Sequence, residues 1–259
     1  MKIDDPVLRD FIQNALNEDV REGDHTSLAC IPKEATGTAK LLIKENGVLA
    51  GVPVAIAIFA AVDSDLEMDI FLEDGDEIKK GDIAFTVTGS AISILTAERL
   101  VLNCMQRMSG IATLTQKYVK AIEGTTTTVL DTRKTTPGIR FLEKYAVKVG
   151  GGENHRMGLY DMIMIKDNHV DFSGGIQQAV SRTKQYLKEE GLSLKIEVET
   201  RNIEEVRQVL AVGGVDRIML DNYSPKQMRE AVTLINGVCE TEASGGIVLE
   251  TIRDYAETG

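Results

Sequence analysis

The feature that most restricts the fold of this chain is a regular alternation of short β-type runs and helical patterns after Val129. The β-type runs occupy residues 127–131, 162–166, 194–199, 217–221 and 239–244. Helical patterns follow three of them, at residues 175–190, 203–211 and 226–235. Strands that are separated by helices run parallel, with the helices as crossovers. A doubly wound sheet and a βα barrel both satisfy this alternation.

The last residues of these runs favour the barrel. Almost every run ends in a polar or charged residue; the later ones end at Lys166, Glu199, Asp221 and Ser244. In a βα barrel the carboxyl ends of the strands converge on one site, whereas in an open sheet they diverge. Turn formation alone explains an Asp or a Ser at such a position, but Lys and Glu are poor turn formers. We therefore expect a ligand site at these strand ends.

Composition and charge exclude several classes of partner. The 259 residues carry 29 Lys+Arg and 40 Asp+Glu, giving a net charge of −11. Such an acidic chain is not expected to bind nucleic acid or an anionic membrane surface. It shows no apolar run long enough to span a bilayer and no signal pattern at its N-terminus, and its cysteines form no CxxC pair. These features predict a cytoplasmic protein without a membrane or nucleic-acid partner.

The first part of the chain is predicted to mix helices and strands. Asp5-Pro6 is a typical helix start, and residues 36–44 have the composition of a strand. Residues 91–122 have a helical period, in which Gly110 predicts a break between two helices. Lys144 and Lys148 stand four residues apart in another helical pattern, and we interpret both as solvated helix residues.

The polar residues of the strand ends, together with a basic stretch at residues 131–169 that has seven Lys/Arg and five Asp/Glu, indicate a phosphorylated sugar beside a carboxylated partner. Arg and Lys clusters recognise carboxylates and phosphates. Carboxylates at strand ends hold sugar hydroxyls or a Mg²⁺ ion, and the glycines of Ser244-Gly245-Gly246 allow a backbone approach to phosphate. The chain contains no GxSxG motif and no credible Cys–His pair. We therefore expect no protein nucleophile.

Several motifs together resemble the signature of the quinolinate phosphoribosyltransferase family, also called nicotinate-nucleotide pyrophosphorylase (carboxylating). The most specific are Asp131-Thr-Arg-Lys-Thr-Thr-Pro-Gly138 and Lys166-Asp-Asn-His169. The supporting motifs are Glu98-Arg99, Ser109-Gly-Ile-Ala-Thr113, His155-Arg156, Glu197-Val-Glu199, Leu220-Asp-Asn222 and Glu242-Ala-Ser-Gly-Gly246. The resemblance runs in order over nearly the whole chain.

The resemblance implies an α/β protein with an N-terminal α/β sandwich domain (residues 1–108) and an open, incomplete TIM-like βα barrel (residues 109–259). It implies transfer of phosphoribose from phosphoribosyl pyrophosphate to quinolinate with loss of CO₂, in a homodimer or higher oligomer. Mg²⁺ is the implied cofactor, held through the pyrophosphate by Glu199 and Asp221. The implied substrate-binding residues are Arg99, Thr132, Arg133, Lys134, His155, Arg156, Lys166, Glu199, Asp221, Ser244, Gly245 and Gly246. Of these, the implied catalytic residues are Lys134, Lys166, Glu199 and Asp221, and Arg99 reaches a neighbouring subunit's site.

One departure from the family keeps alternatives open. The family continues beyond the point where this sequence stops, so we expect a C-terminal strand and tail to be missing. A relative with another phosphoribosyl acceptor, such as a molybdenum-transport-associated homologue, is one alternative. An aldolase-type lyase with a Schiff base on Lys166 is a second. A catalytically inactive anion-binding protein is a third.

Overall fold

The computed structural model describes Ile3 and residues 5–259. The chain divides into two compact units, each described separately below. Unit 1 comprises Met1–Val119 and Val129–Asn154, and unit 2 comprises Lys120–Thr128 and His155–Gly259. No helix in the described part of the chain has the length and apolar character that a membrane span requires.

Unit 1 combines helices with two small antiparallel sheets. Its helices are α1 (Pro6–Asp19), α2 (His25–Cys30), α3 (Val52–Val62), α4 (Ala91–Ala121, whose last two residues belong to unit 2) and α5 (Arg140–Val149). Its strands are β1 (Thr36–Leu42), β2 (Gly47–Val48), β3 (Glu67–Ile70), β4 (Glu77–Ile78) and β5 (Ile83–Ser90). The larger sheet has the order β1-β5-β3, and β2 pairs with β4. The predicted mixture of helices and strands is therefore present.

The start of α1 follows the predicted capping chemistry. The Asp5 carboxylate accepts a hydrogen bond from the backbone N–H of Val7 at 2.9 Å, and Pro6 occupies the first helical position. A side-chain acceptor before the first turn satisfies an N–H group that has no partner within the helix. Leu8 and Ile12 then lie on the buried face of α1.

The predicted break at Gly110 is wrong. Helix α4 runs without interruption from Ala91 to Ala121, through a Gly110 that is exposed. A glycine inside a helix costs about 1 kcal/mol relative to alanine, which weakens a helix without ending it. On the turns of α4 before Gly110, buried residues such as Val101, Met105 and Met108 pack against the unit 1 core and hold the helix in place.

The interpretation of Lys144 as a solvated residue is also wrong. Its side chain is 1% exposed, and its Nζ contacts an Asp131 carboxylate oxygen whose side chain is 6% exposed. Lys148, one turn later on α5, is exposed as expected. Both lysines lie in a helix, as their spacing predicted. Lys144 nevertheless lies on the buried face of α5, because the buried Asp131 carboxylate lies opposite it.

Unit 2 contains the parallel sheet that the alternation predicted. Its strands are β6 (Ile163–Ile165), β7 (Ile196–Thr200), β8 (Arg217–Asp221) and β9 (Glu240–Ser244), paired in that order. Its helices are α6 (Asp167–Ser173), α7 (Ile176–Glu189), α8 (Ile203–Val212), α9 (Pro225–Ile235) and α10 (Ile252–Ala256). Within residues 5–259, β6 and β9 do not pair with each other, so this sheet is open, as the incomplete barrel required.

The first predicted strand of the series, at residues 127–131, is present only as a single parallel bridge. Leu130 bridges to Glu153, and the flanking hydrogen bonds join Asp131 N to Glu153 O at 3.1 Å and Glu153 N to Val129 O at 2.8 Å. This bridge belongs to unit 1, whereas the remaining predicted strands form the sheet of unit 2.

The unit 2 sheet has two chemically different faces. Apolar side chains such as Ile196 and Val198 form a core with the helices, and Val180, Val206 and Met228 are among their partners. Successive side chains of a strand point to opposite faces. The residues between these apolar positions therefore share the other face, and in β7 they are Glu197 and Glu199.

Candidate active site

The predicted strand-end residues of unit 2 lie in neighbouring strands. The Lys166 Nζ lies 3.6 Å from an oxygen of the Glu199 carboxylate. In the adjacent strands Asp221 pairs in register with Ser244. Lys166 follows β6 directly and is the residue before α6. The sheet thus brings a cation, two carboxylates and a hydroxyl to its carboxyl edge.

Electrostatics make Glu199 a carboxylate that favours a nearby cation. Burial raises the pKa of Glu199, and the charges of Asp221 and Asp167 raise it further. Lys166 lowers this pKa but does not cancel the rise. The Glu199 side chain is 12% exposed and that of Lys166 is 48% exposed. A bound cation would relieve the repulsion between these carboxylates.

The end of β9 requires glycine at position 245. Gly245 has φ +94°, and a Cβ built there would lie 2.2 Å from the Asn222 Oδ1. The backbone N–H of Asn222 donates to the Ser244 carbonyl at 2.8 Å, and the Asn222 amide donates to Asp221 at 2.6 Å. Only a residue without a side chain allows the ends of β8 and β9 to approach in this way.

His155 is buried and held by two glutamates. Its Nε2 lies 2.7 Å from a Glu197 carboxylate oxygen and 3.3 Å from one of Glu242. Hydrogen bonds to these carboxylates raise the pKa of His155 to about 9. The Nδ1 accepts the backbone N–H of Arg156 at 2.7 Å, which opposes protonation of that nitrogen. The contacts with the two carboxylates outweigh that peptide dipole, so the net shift of the His155 pKa is upward.

Arg156 is directed along the strand that precedes Lys166. Its guanidinium donates to the Met162 carbonyl at 3.3 Å and lies 3.5 Å from the Met164 sulfur. Met164 is in register with Glu197 in the next strand. The predicted residues His155, Arg156 and Lys166 are therefore connected through β6 and β7.

Sequence reasoning did not assign roles to Glu197, Arg217 and Glu242. The Arg217 guanidinium donates to Glu242 at 3.0 Å and to Glu240 at 2.7 Å. Glu197 and Glu242 each stand two residues before a predicted site residue. Strand alternation places such residues on the same face as the site. That spacing was the available signal.

Unit 1 holds the segment with Thr132, Arg133 and Lys134. The backbone N–H of Lys134 donates to the Thr132 hydroxyl at 3.0 Å, and Arg140 donates to the Arg133 carbonyl at 3.4 Å. The Arg133 Nε is buried and has no hydrogen-bond partner within the described part of the chain. An arginine nitrogen in that condition is suited to an anion that is absent from the structure.

The end of this segment is fixed by Glu143 on α5. Its carboxylate accepts from the Thr136 N–H at 3.0 Å, the Thr136 hydroxyl at 2.8 Å and the Arg107 Nε at 2.8 Å. Burial raises the pKa of Glu143, but the Thr136 and Arg107 contacts lower it more, so the net shift is downward. Glu143 therefore holds the segment as an ion at neutral pH.

Arg99 lies on α4 and is exposed in unit 1. This position agrees with an arginine that is available to another molecule.

Two groups of residues have the chemistry of a metal site. Glu199 and Asp221 offer oxygen ligands, which Mg²⁺ prefers, and their mutual repulsion fits a cation between them. His155, Glu197 and Glu242 also offer ligand atoms within 4.8 Å of one another. In that second group, however, Arg217 and the imidazole N–H already contact the carboxylates. The first group is therefore the better match to the predicted Mg²⁺.

Cations, carboxylates and a glycine turn at the carboxyl edge of a parallel sheet define an α/β enzyme with a site for a small anion. The chain matches the C-terminal domain model of quinolinate phosphoribosyl transferase over residues 111–259 and the N-terminal domain model over residues 24–109. It therefore belongs to the quinolinate phosphoribosyl transferase family.

Individual relatives agree with this assignment. Quinolinate phosphoribosyltransferase [decarboxylating] 2, mitochondrial, from Nicotiana glauca is 46% identical over 97% of this chain and 76% of its own length. A probable nicotinate-nucleotide pyrophosphorylase [carboxylating] from Synechocystis is 41% identical over 98% of this chain and 85% of its own.

Solved structures share the fold over nearly the whole chain. NadC from Streptococcus pyogenes has a TM-score of 0.90 and 40% identity, covering 96% of this chain and 86% of its own. The nicotinate-nucleotide pyrophosphorylase from Francisella tularensis has a TM-score of 0.91 and 35% identity, covering 100% and 91%.

Proposed function

We propose that this protein transfers phosphoribose from phosphoribosyl pyrophosphate to quinolinate with decarboxylation. The products are nicotinate mononucleotide, pyrophosphate and CO₂, in the biosynthesis of NAD. The observation that carries the proposal is the pairing of Lys166 with Glu199 beside Asp221 at the carboxyl edge of the unit 2 sheet. The names of the relatives support the same reaction.

Quinolinate and the phosphates are anions, so cationic side chains supply their recognition. Arginine forms bidentate hydrogen bonds with carboxylates, and lysine acts as a point charge. The residues proposed for this role are Arg133, Lys134, His155, Arg156 and Lys166, with the Thr132 hydroxyl as a neutral hydrogen-bonding group beside them. The buried Arg133 Nε without a partner supports this assignment.

Carboxylates stabilise the transferring sugar. Departure of pyrophosphate leaves positive charge on the ribose, and nearby carboxylates favour that charge. Glu199 and Asp221 are proposed to take this role and to contact the ribose hydroxyls. They would also hold the pyrophosphate-bound Mg²⁺, which neutralises the leaving group when it is present. Ser244, Gly245 and Gly246 are proposed to bind the 5′-phosphate.

The nucleophile is the pyridine nitrogen of quinolinate, so the protein needs only to orient it. Once alkylated, that nitrogen carries positive charge. The bond to the adjacent carboxylate then breaks to release CO₂. The electron pair stays on the ring carbon beside the positive nitrogen and takes up a proton there. Lys134 and Lys166 are proposed to hold the carboxylates during these steps.

We propose a homodimer in which Arg99 acts in the neighbouring subunit's site. Its exposed position on α4 supports this. Mixing Arg99→Ala and Lys166→Ala proteins should restore activity, because one site of each hybrid dimer carries neither defect. Verified subunit exchange without recovered activity would contradict it. The predicted cytoplasmic location stays a prediction, since several plant relatives have mitochondrial or chloroplastic names.

The direct test is incubation with quinolinate, phosphoribosyl pyrophosphate and Mg²⁺, with assay of CO₂ and nicotinate mononucleotide. Lys166→Ala is the active-site variant, and Lys148→Ala, which removes an exposed lysine of α5, is the matched control. We expect turnover by the wild type and the control and its loss in Lys166→Ala. Absence of product with the folded wild type would refute the proposal.

A further inference from the structure

The unit 2 sheet contains a buried charged cluster, formed by His155, Glu197, Arg217 and Glu242, beneath the strand-end residues. The exposed fractions of these side chains run from 0% for Glu197 to 18% for Arg217. Each strand from β7 to β9 contributes one member, and His155 joins the two glutamates. The cluster lies on the same face of the sheet as Glu199 because strand side chains alternate.

Stability alone does not account for this cluster. Taking charges out of water costs free energy, and an apolar replacement of a buried ion pair is often neutral or stabilising. The opposite face of the same strands is filled with apolar residues such as Val198 and Ile218. Apolar residues would be sufficient on this face as well if the face served stability only. We therefore look for the reason for these charges in the function of the site.

The contacts of the cluster lead toward Arg156. Glu197 and Glu242 contact Nε2 of His155, so they fix the orientation of the ring. The opposite ring nitrogen accepts the backbone N–H of Arg156 at 2.7 Å. The Arg156 guanidinium then contacts the β6 segment at Met162 and Met164. In this structure, both ring nitrogens of His155 have contacts inside the protein.

We propose that Glu197 and Glu242 are positioning residues, which hold His155 so that its ring fixes the Arg156 backbone and presents the Arg156 side chain to a quinolinate carboxylate. This inference rests on the proposed function. It gives His155 a second part in substrate binding, through the Arg156 backbone, beside the direct role proposed above. Arg217 completes the arrangement by holding Glu242 at 3.0 Å.

The test compares Glu197→Gln with Glu240→Gln. Glutamine keeps the shape of the side chain but removes the charge that orients the imidazole. Glu240 is the matched control because it also contacts Arg217 but does not contact His155. Calorimetry should show the quinolinate dissociation constant about tenfold weaker in Glu197→Gln, the effect expected from loss of a charge-assisted hydrogen bond. It should stay near the wild-type value in Glu240→Gln.

Two further readouts separate positioning from general damage. The KM for phosphoribosyl pyrophosphate should change much less than quinolinate affinity in Glu197→Gln. Combining Glu197→Gln with His155→Gln should weaken quinolinate binding no more than the stronger single variant, because both act through one ring. Equal losses for both substrates, or additive losses in the double variant, would overturn the inference.

The experiment distinguishes the inference from the function on which it rests. If the folded wild-type protein fails to bind quinolinate, the proposed function fails. If the wild type binds quinolinate and Glu197→Gln binds it equally well, the positioning role fails alone. Should Glu197→Gln not fold, Glu242→Gln provides the same comparison at a side chain that is 15% exposed.

Discussion

Replacement of Lys144 by methionine tests whether the buried ion pair in unit 1 is essential to its stability. Lys144 and Asp131 are 1% and 6% exposed, so water cannot replace either partner. Methionine has a similar length and no charge. The Lys144→Met variant therefore leaves the Asp131 carboxylate buried without its cation.

The expected loss follows from what Asp131 can do next. Breaking a buried pair by removing one partner costs about 3–5 kcal/mol. Asp131 limits this cost by taking up a proton. From an ordinary Asp pKa of about 3.9, protonation at pH 7 costs about 4 kcal/mol, at about 1.36 kcal/mol per unit. At pH 5 the same step costs about 1.5 kcal/mol. The penalty of Lys144→Met should therefore fall by more than half between pH 7 and pH 5.

Urea unfolding of the wild type and Lys144→Met at both pH values measures this difference. The double variant Lys144→Met, Asp131→Asn removes both charges and should be more stable than Lys144→Met alone at pH 7. Lys148→Met serves as the control, because Lys148 is exposed on the same helix. A Lys144→Met penalty below about 1 kcal/mol at pH 7, or one that does not depend on pH, would refute the reasoning.

Further predictions concern both stability and catalysis. The pKa of Glu143 is lowered in the folded protein, so its contribution is present above the unfolded pKa and lost as pH falls. Wild type and Glu143→Gln should therefore differ most in free energy of unfolding at pH 7, and the difference should shrink in acid as pH falls through the lowered pKa of Glu143. Gly110→Ala should stabilise the protein by about 0.5–1 kcal/mol in thermal unfolding, because the added Cβ meets nothing within 4 Å. Arg133→Ala should lower kcat/KM by a factor corresponding to about 2–4 kcal/mol, without a change in unfolding midpoint. Glu199→Gln should slow cleavage of the bond between ribose and pyrophosphate far more than it weakens quinolinate binding in calorimetry. The reverse result would mean that Glu199 binds quinolinate and does not stabilise the ribose.

The parts of the fold that sequence reasoning obtained are those set by local chemistry. The cap at Asp5 and the strand–helix alternation of unit 2 depend on residues close together in the chain. The errors at Gly110 and Lys144 depend on distant partners. A packed face outweighs the helix penalty of Gly110, and a carboxylate thirteen residues before Lys144 makes its burial possible. Such contacts have no signature in a local window.

The candidate site shows the same division within a single strand. The end of a strand is recognisable in sequence where a charge interrupts an apolar run, and Lys166, just after β6, and Glu199, near the end of β7, were found in this way. Glu197 lies inside the run and looks like a tolerated interior position until its partner His155 is placed against it. Alternation already requires Glu197 and Glu199 to share a face, so a charge two residues before a strand-end site residue is a candidate neighbour of that residue. The same step inward from Ser244 reaches Glu242, whereas from Lys166 and Asp221 it reaches Met164 and Met219.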